Sequence, residues 1–420
     1  MLSCVEPCVS FDIYRCREQK QLQLERRQRK CLHLYHYWMH PEFGFMHGRI
    51  QTWFPFTIQI CLNGREWLAR QMRREGLSFQ RQNNCFVAIE DYARAQVLLQ
   101  EQLHTQWPEW LNQIAQDLNP AHAEIFWNFR ANYYWSTLQS EWATDIVFRR
   151  EALLRRLYPK LVHHAMTTFS SGDILRFLGR RAPAKPDCYG NFQGEVMSDL
   201  KTRKEGVRVK HWVNGNTIKI YDKAFTAAGS VLRVETTVYQ ERDFKVYRPK
   251  EGDEPDKLGW RPLRRGIADL YRRAQVSQAA NQRYLQALAS VDDSTTVEEL
   301  VRTLEHPVNW GGKRLRGLRL FEPSDQALLD SISRGEFTVN GLRNRDLQAL
   351  LFSGPAGSER EARRRSAWVG RHLRLLRAHA LLRKVPHTHR YQVTDWGRTA
   401  LTAIASARRA TVAQLTAKAA

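Results

Sequence analysis

From Gly206 to Thr237 the chain alternates apolar and polar residues through three runs, GVRVKHWV, NTIKIYDK and SVLRVETT, and only Asn214-Gly215 separates the first two. Period-two alternation sends successive side chains to opposite faces of a strand. Asn-Gly between such runs is the strongest short-range signal for a two-residue hairpin turn. The stretch is thereby committed to an antiparallel sheet with two unlike faces. Ile218, Ile220, Leu232 and Val234 fill the apolar face, and Lys219, Tyr221, Lys223, Arg233 and Glu235 the other. On the first run Arg208, Lys210 and Trp212 also share a face. A charged sheet face is either solvated or the floor of an active site.

The fold expected around this hairpin is α+β. Residues 1–30, ending in QKQLQLERRQRK, read as a basic solvated arm or short helix. CLHLYHYW, FMHGRIQTW and FTIQICL read as strands. REWLARQMRREG, opened by Asn63-Gly64, and DYARAQVLLQEQL, starting near Asp91, read as helices flanking two short strand-like runs. Residues 31–105 thus suggest an RRM-like sheet with helices on one face. The Trp-rich helical stretch over 106–135 reads as core. It opens a central mixed domain, 106–290, with a strand LQSEWATDIVF whose Glu141, Ala143 and Asp145 share a face. A helix REALLRRLYPKLVHHAMTTF, a loop APAKPD, a polar connection GEVMSDLKTRKEG and a long helix carrying Tyr271 and Tyr284 complete that domain. Residues 291–322 read as a linker and 323–420 as a compact helical unit with one hairpin.

The 420 residues allow about two or three domains. Their formal net charge is +22, a surplus that repels itself unless a polyanion offsets it, so nucleic acid is the expected partner ahead of a membrane surface. No run of ~18 apolar residues exists, which excludes a membrane-spanning helix. MLSCVEPCVSFDIYRC has neither signal-peptide nor transit-peptide character. Seven scattered cysteines make no secreted disulfide framework, and a reducing cytoplasm is the expected compartment. Cys4, Cys8, Cys16 and Cys31 lack the C-x2-C spacing of zinc sites and read as ordinary thiols. His33, His36 and His40 alternate with aromatics and fit a half-buried strand end as well as a metal site.

In the last hundred or so residues three helices, two short strands and a closing helix follow one another. On the third helix Val369, Leu373, Leu376 and Ala380 form an apolar stripe, opposite Arg360, Arg363, Arg364, Arg371 and Arg374. This order, with RLLRAHALLRKV followed by YQVTDWG, resembles the winged-helix domains of bacterial regulators. The resemblance implies that Glu361–Ala378 enters a DNA major groove. It also implies that the wing around His387, His389 and Arg390 lies near a minor groove or phosphates. The plainer alternative is a solvated basic helix.

IKIYDK followed by LRVETT resembles a segment of rolling-circle replication initiators from plasmids and filamentous phages, in which a strand ending Tyr-Asp/Asn-Lys precedes an Arg-x-Glu strand. That likeness implies DNA nicking by transesterification: a tyrosine attacks a phosphate, leaving a phosphotyrosine and a free 3′-hydroxyl, with Mg²⁺ or Mn²⁺ offsetting charge. Glu235 with Glu141 or Asp145 would ligate the metal, and Lys219, Lys223 and Arg233 would hold the phosphate. Tyr221, Tyr271 and Tyr284 are equal candidates for the nucleophile. The His-hydrophobe-His motif of HUH nucleases is missing: HTH at 387–389 belongs to the wing, and His47 stands alone. QTWFPF, LNGREWLA and RVKHW are also similar to phrases of an uncharacterised bacterial family, which adds no mechanism.

Three functions stay open. The first is a DNA-binding protein with initiator-like or transposase-like nicking activity, as in mobile elements. The second is a non-enzymatic winged-helix regulator, and the third an RNA-binding protein using the N-terminal sheet. If Arg233 and Glu235 merely pair with Lys219 or Lys223 across strands, the charged face needs no catalysis. Arg208, Lys210 and Trp212 can still bind a nucleic-acid strand in that case.

Overall fold

The computed structural model describes the chain except for residues 19, 83, 120, 122–123, 125–126, 128–132, 180–195, 204–205, 224–229, 251, 255, 291–295, 338–340 and 411–420. The loop APAKPD and most of the second half of the Trp-rich stretch fall among those exceptions. The chain divides into two compact units, Met1–Thr137 with Gly266–Tyr271, and Leu138–Arg265 with Arg272–Ala420. The architecture is mixed α+β, and no helix among the described residues is long and apolar enough to cross a membrane.

The first unit opens with strands β1 (Leu2–Cys16), β2 (Gln21–His40), β3 (Gly44–Gln51) and β4 (Ile58–Cys61), which form one antiparallel meander in sequence order. The first thirty residues are therefore not an arm or a helix: β1 and β2 pair rung by rung from Leu2↔Tyr35 to Cys16↔Gln21. Pairing satisfies the backbone groups that the two strands turn to each other, so the polar, basic Gln21–Lys30 forms strand although almost none of it is buried. Helix α1 (Gly64–Arg74) then starts at Asn63, whose Oδ1 accepts from the N–H groups of Arg65 and Glu66. Such a cap contributes about 1 kcal/mol.

Strands β5 (Phe79–Gln82) and β6 (Cys85–Ile89) make a separate ribbon, and helix α2 (Tyr92–Glu101) is capped by Asp91. The elements of residues 31–105 come in the expected order, but the strands divide between the four-stranded meander and the separate ribbon and do not form one sheet. Helix α3 (Trp107–Leu118) packs Trp107, Leu111, Ile114 and Leu118 on Phe43, Met46 and Ile50, with Trp110 and Trp135 against them. These tryptophans are core, whereas Trp127 is 78% exposed, against the expectation for the stretch. His40 joins that aromatic cluster with its ring 4.9 Å from Trp110, and burial pushes its imidazole below the usual range. Cys8 and Cys31 are buried, and burial, then Cys31, pushes the Cys8 thiol up to about 11.

The second unit is built on strand β7 (Ser140–Phe148), helices α4 (Glu151–Thr167) and α5 (Ser171–Phe177), and strands β8 (Met197–Arg203), β9 (Gly206–Val213), β10 (Asn216–Asp222) and β11 (Ser230–Val238). The strands form a five-stranded antiparallel sheet in the order β7-β11-β10-β9-β8. Between β9 and β10 the turn residues Asn214 (φ 49°) and Gly215 (φ 80°) both take the positive φ that a type I′ hairpin demands. The polar connection expected before Gly206 is instead the edge strand β8, which needs an apolar face less than a central strand does.

After a small ribbon, β12 (Lys245–Pro249) and β13 (Leu258–Pro262), helix α6 (Leu270–Ala289) runs with α4 and α5 along one face of the sheet. Leu154, Leu161, Ile174 and Phe177 meet Val209, Ile218, Ile220 and Val234 there. Each such fully buried side chain contributes roughly 1.5–3 kcal/mol.

Residues expected to form a linker are folded: helix α7 (Val297–Glu305), with strands β14 (Val308–Trp310) and β15 (Lys313–Leu315), buries Leu300 and Leu304 in the same cluster as Leu318 and Leu320. The rest follows the expected order as helices α8 (Pro323–Ile332), α9 (Asn344–Leu351) and α10 (Glu359–Ala378), strands β16 (Leu382–Lys384) and β17 (Tyr391–Val393), and helix α11 (Asp395–Arg409). Val369, Leu373 and Leu376 of α10 are buried, but Ala380 is not part of the stripe. It lies beyond the helix end at φ 56°, where the chain reverses out of the helix.

Candidate functional site

The sheet register brings the charged residues of β7, β9, β10 and β11 onto one face, away from α4 and α6. Glu141 stands opposite Thr237, Asp145 opposite Arg233, Glu235 opposite Lys219, and Tyr221 opposite both Arg233 and Arg208. Lys210 lies beside Lys219, and on the edge strand Asp199 lies beside Lys210. The residues that the initiator resemblance singles out on this sheet do converge. Cross-strand neighbours stand only about 5 Å apart, so opposite charges there bond to one another.

Lys219 Nζ donates to Glu235 Oε1 at 2.8 Å and approaches Glu141 Oε1 at 3.5 Å. Burial disfavours that ammonium, but Glu235 and Glu141 outweigh it and raise its pKa. Arg233 is wholly buried and grips Asp145 with Nε and Nη2, each at 2.7 Å. Lys210 is pushed the other way, by burial and then by Lys219 and Arg208. The carboxylates proposed for a divalent cation therefore already neutralise Lys219 and Arg233. Among the described residues no group of three or more His, Cys, Asp or Glu is placed to share an ion. A donor set bonded in this way does not fit Mg²⁺ or Mn²⁺, which need several oxygen ligands left open to the metal.

The three tyrosines separate. Tyr221 lies on the charged face with Lys223 Nζ 5.0 Å and the Arg208 guanidinium 5.9 Å from its ring centroid. Its hydroxyl pKa is raised, first by burial and then by Glu235. Tyr284 projects from α6 into the core on the opposite face, is fully buried, and has its hydroxyl 2.9 Å from His211 Nε2. Burial raises its pKa as well. Tyr271, near the start of α6, belongs to the first unit. Trp212 and Lys210 are half-buried and Arg208 is buried, so the basic strand offers less open surface than its alternation suggests.

Sequence reasoning missed one chain of polar groups. Ser198 Oγ lies 2.7 Å from His211 Nδ1, and His211 carries the contact on to Tyr284. Burial pushes the His211 imidazole down to about 4, so it is neutral near pH 7 and uses both ring nitrogens as partners. His211 stood in RVKHW on the apolar face, a position that marks a histidine for burial.

The C-terminal arginines fare differently. Arg360, Arg363, Arg364, Arg371 and Arg374 all lie exposed along α10. Arg363 bonds Glu359 at 3.0 Å, with both side chains open to solvent. Arg360, Arg364, Arg371 and Arg374 make no ion pair among the described residues. His387 and His389 are exposed at the tip of the β16–β17 hairpin, whereas Arg390 stacks on Tyr247, 4.4 Å from its ring centroid. No protein-family model, no curated protein and no solved structure matches this chain.

Proposed function

We propose that this chain is a DNA-binding protein whose C-terminal elements, α8 to α11 with the β16–β17 hairpin, act as a winged helix. In this reading α10 enters the major groove and the hairpin tip rests near the backbone. The observation that carries it is the exposed arginine row of α10, backed by a buried Val369–Leu373–Leu376 stripe and left without carboxylate partners at four positions among the described residues. Unpaired guanidiniums on a rigid helix are ready to exchange counterions for phosphates. The central sheet serves as a scaffold stiffened by its own charge pairs. Fluorescence anisotropy of the full chain on labelled duplex DNA at several salt concentrations tests this. Replacing Arg364, Arg371 and Arg374 with Ala weakens binding and flattens the salt dependence; unchanged binding by that variant overturns the reading.

A second reading, strand nicking of the initiator type, has one observation in its favour: of the three candidate tyrosines only Tyr221 shares a face with Lys219, Lys223 and Arg208. In that scheme the Tyr221 oxygen bonds to phosphorus and loses its proton, and the DNA 3′ oxygen departs as a hydroxyl. Supercoiled and single-stranded DNA incubated with the protein and Mn²⁺, resolved on a denaturing gel, decides it. A covalent 5′ adduct that disappears in Tyr221→Phe supports nicking, and tight binding without any adduct rejects it.

A further inference from the structure

We infer that the second unit carries an anion site apart from the α10 surface: a cavity between α5 and α6 on one side and β16, β17 and α11 on the other that binds a phosphate-bearing ligand. The cavity measures about 320 Å³, within the range of small-ligand pockets. Arg176, Arg283, Arg334, Arg383 and Arg398 line it, against one lining carboxylate, Asp395. These arginines come from separate parts of the chain, so folding alone gathers them, and no sequence run of charge accounts for them.

The guanidiniums are held in place. Arg283 donates Nε and Nη2 to the Phe177 carbonyl at 2.9 and 2.7 Å. Arg398 donates to Gln286 Oε1 at 2.8 Å and to the Val393 carbonyl at 2.9 Å, and also bonds Asp395. Arg176 bonds Asp173 at 2.7 Å and Arg334 bonds Glu336 at 3.0 Å. Arg334 keeps a buried Nε with no acceptor among the described residues. Burial, followed by the charges of Arg398 and Arg176, pushes the Arg283 guanidinium down to about 9. The wall is also fixed at backbone level: a Cβ on Gly335 would fall 2.2 Å from the Cα of Gly179, so the segments after α5 and α8 touch through bare backbone.

Fixed, convergent guanidiniums recognise phosphate by paired, charge-assisted hydrogen bonds. The shared chemistry is a phosphate ester, supplied either by a free nucleotide-sized molecule or by the backbone of bound DNA. Thermal unfolding and calorimetry of the full chain with sodium pyrophosphate and with ATP, against sodium chloride of equal ionic strength, test for it. The expected result is a rise in melting temperature with the phosphates but not with chloride. Arg383→Gln, at an exposed position that leaves the core intact, should weaken ATP binding by roughly tenfold or more, as expected when one charge-assisted hydrogen bond is removed. Anisotropy on duplex DNA separates the sources. Unchanged DNA affinity in Arg383→Gln assigns the cavity to a free ligand, and a parallel weakening assigns it to the DNA backbone. If Arg383→Gln and Arg398→Lys both bind ATP and DNA as the parent chain does, or chloride stabilises as well as pyrophosphate, the site does not exist.

Discussion

The central sheet and helix α10 are both rich in basic residues at regular spacing, yet the two regions spend that charge in opposite ways. On the sheet, Lys219 and Arg233 are buried and bonded to Glu235 and Asp145 contributed by neighbouring strands. On α10 the arginines repeat along one face of a single helix, and four of them have no ion-pair partner among the described residues. Strand neighbours come from different parts of the chain and can be of opposite sign, whereas helix neighbours three and four residues apart are set by one short sequence. A charged face becomes glue in the first geometry and a landing surface in the second.

The sharpest way to break this contrast is to remove one partner of a buried pair. Glu235→Ala leaves the Lys219 ammonium buried beside only the longer contact to Glu141, and should cost about 3–5 kcal/mol in urea unfolding. The double variant Lys219→Met/Glu235→Leu should regain most of that stability, because an apolar pair of similar volume replaces an ion pair at little net cost. On α10 the opposite pattern is expected. Replacing Arg360, Arg364, Arg371 and Arg374 with Ala should leave unfolding unchanged to within ~0.5 kcal/mol per site. The same variant should reduce the steepness of the DNA salt dependence by roughly 0.9 for each phosphate that the helix no longer neutralises.

Asp325, a buried carboxylate at the start of the C-terminal helices that pairs with the exposed Arg316, gives a pH test. Asp325 accepts from Arg316 at 2.7 Å and from the Arg319 N–H at 2.9 Å. Burial disfavours its charge, but those donors win and lower its pKa. Its contribution is therefore fully present above the ordinary aspartate value of about 3.9 and is lost as pH falls through the lower folded value. Urea unfolding between pH 5 and pH 3 should show that decline, and Asp325→Asn should flatten it. The last test concerns the end of α10: Ala380→Gly, at φ 56°, should stabilise by about 1 kcal/mol in the same assay, because an alanine in the left-handed region carries a steric cost of roughly 1–2 kcal/mol that glycine does not.

The strands and caps were legible where local chemistry dictates them. The Asn214-Gly215 turn, the Asn63 and Asp91 caps and the α10 stripe up to Leu376 all follow from short-range rules. The β1–β2 ribbon was not, because most residues of Gln21–Lys30 are exposed and leave little burial pattern to read. Strand β8 escaped for a related reason, being paired on one side only. The convergence of Glu235, Lys219 and Tyr221 was readable from hairpin parity. That Asp145 belongs to Arg233 depends on β7 docking beside β11, a pairing 88 residues apart in sequence. The five arginines of the cavity share no motif at all.

The contact of Gly179 with Gly335 bears on how this protein can change over generations. A joint closed by two bare backbones has no side chain to trim or enlarge: a side chain at Gly335 prises the segments apart, and one at Gly179 is strained by its φ of 81°. The C-terminal helices are thus not a cassette that recombination can move freely: part of their seat is written far upstream, among the helices of the sheet. A chimera that grafts them onto another scaffold must carry that seat along, or rebuild it.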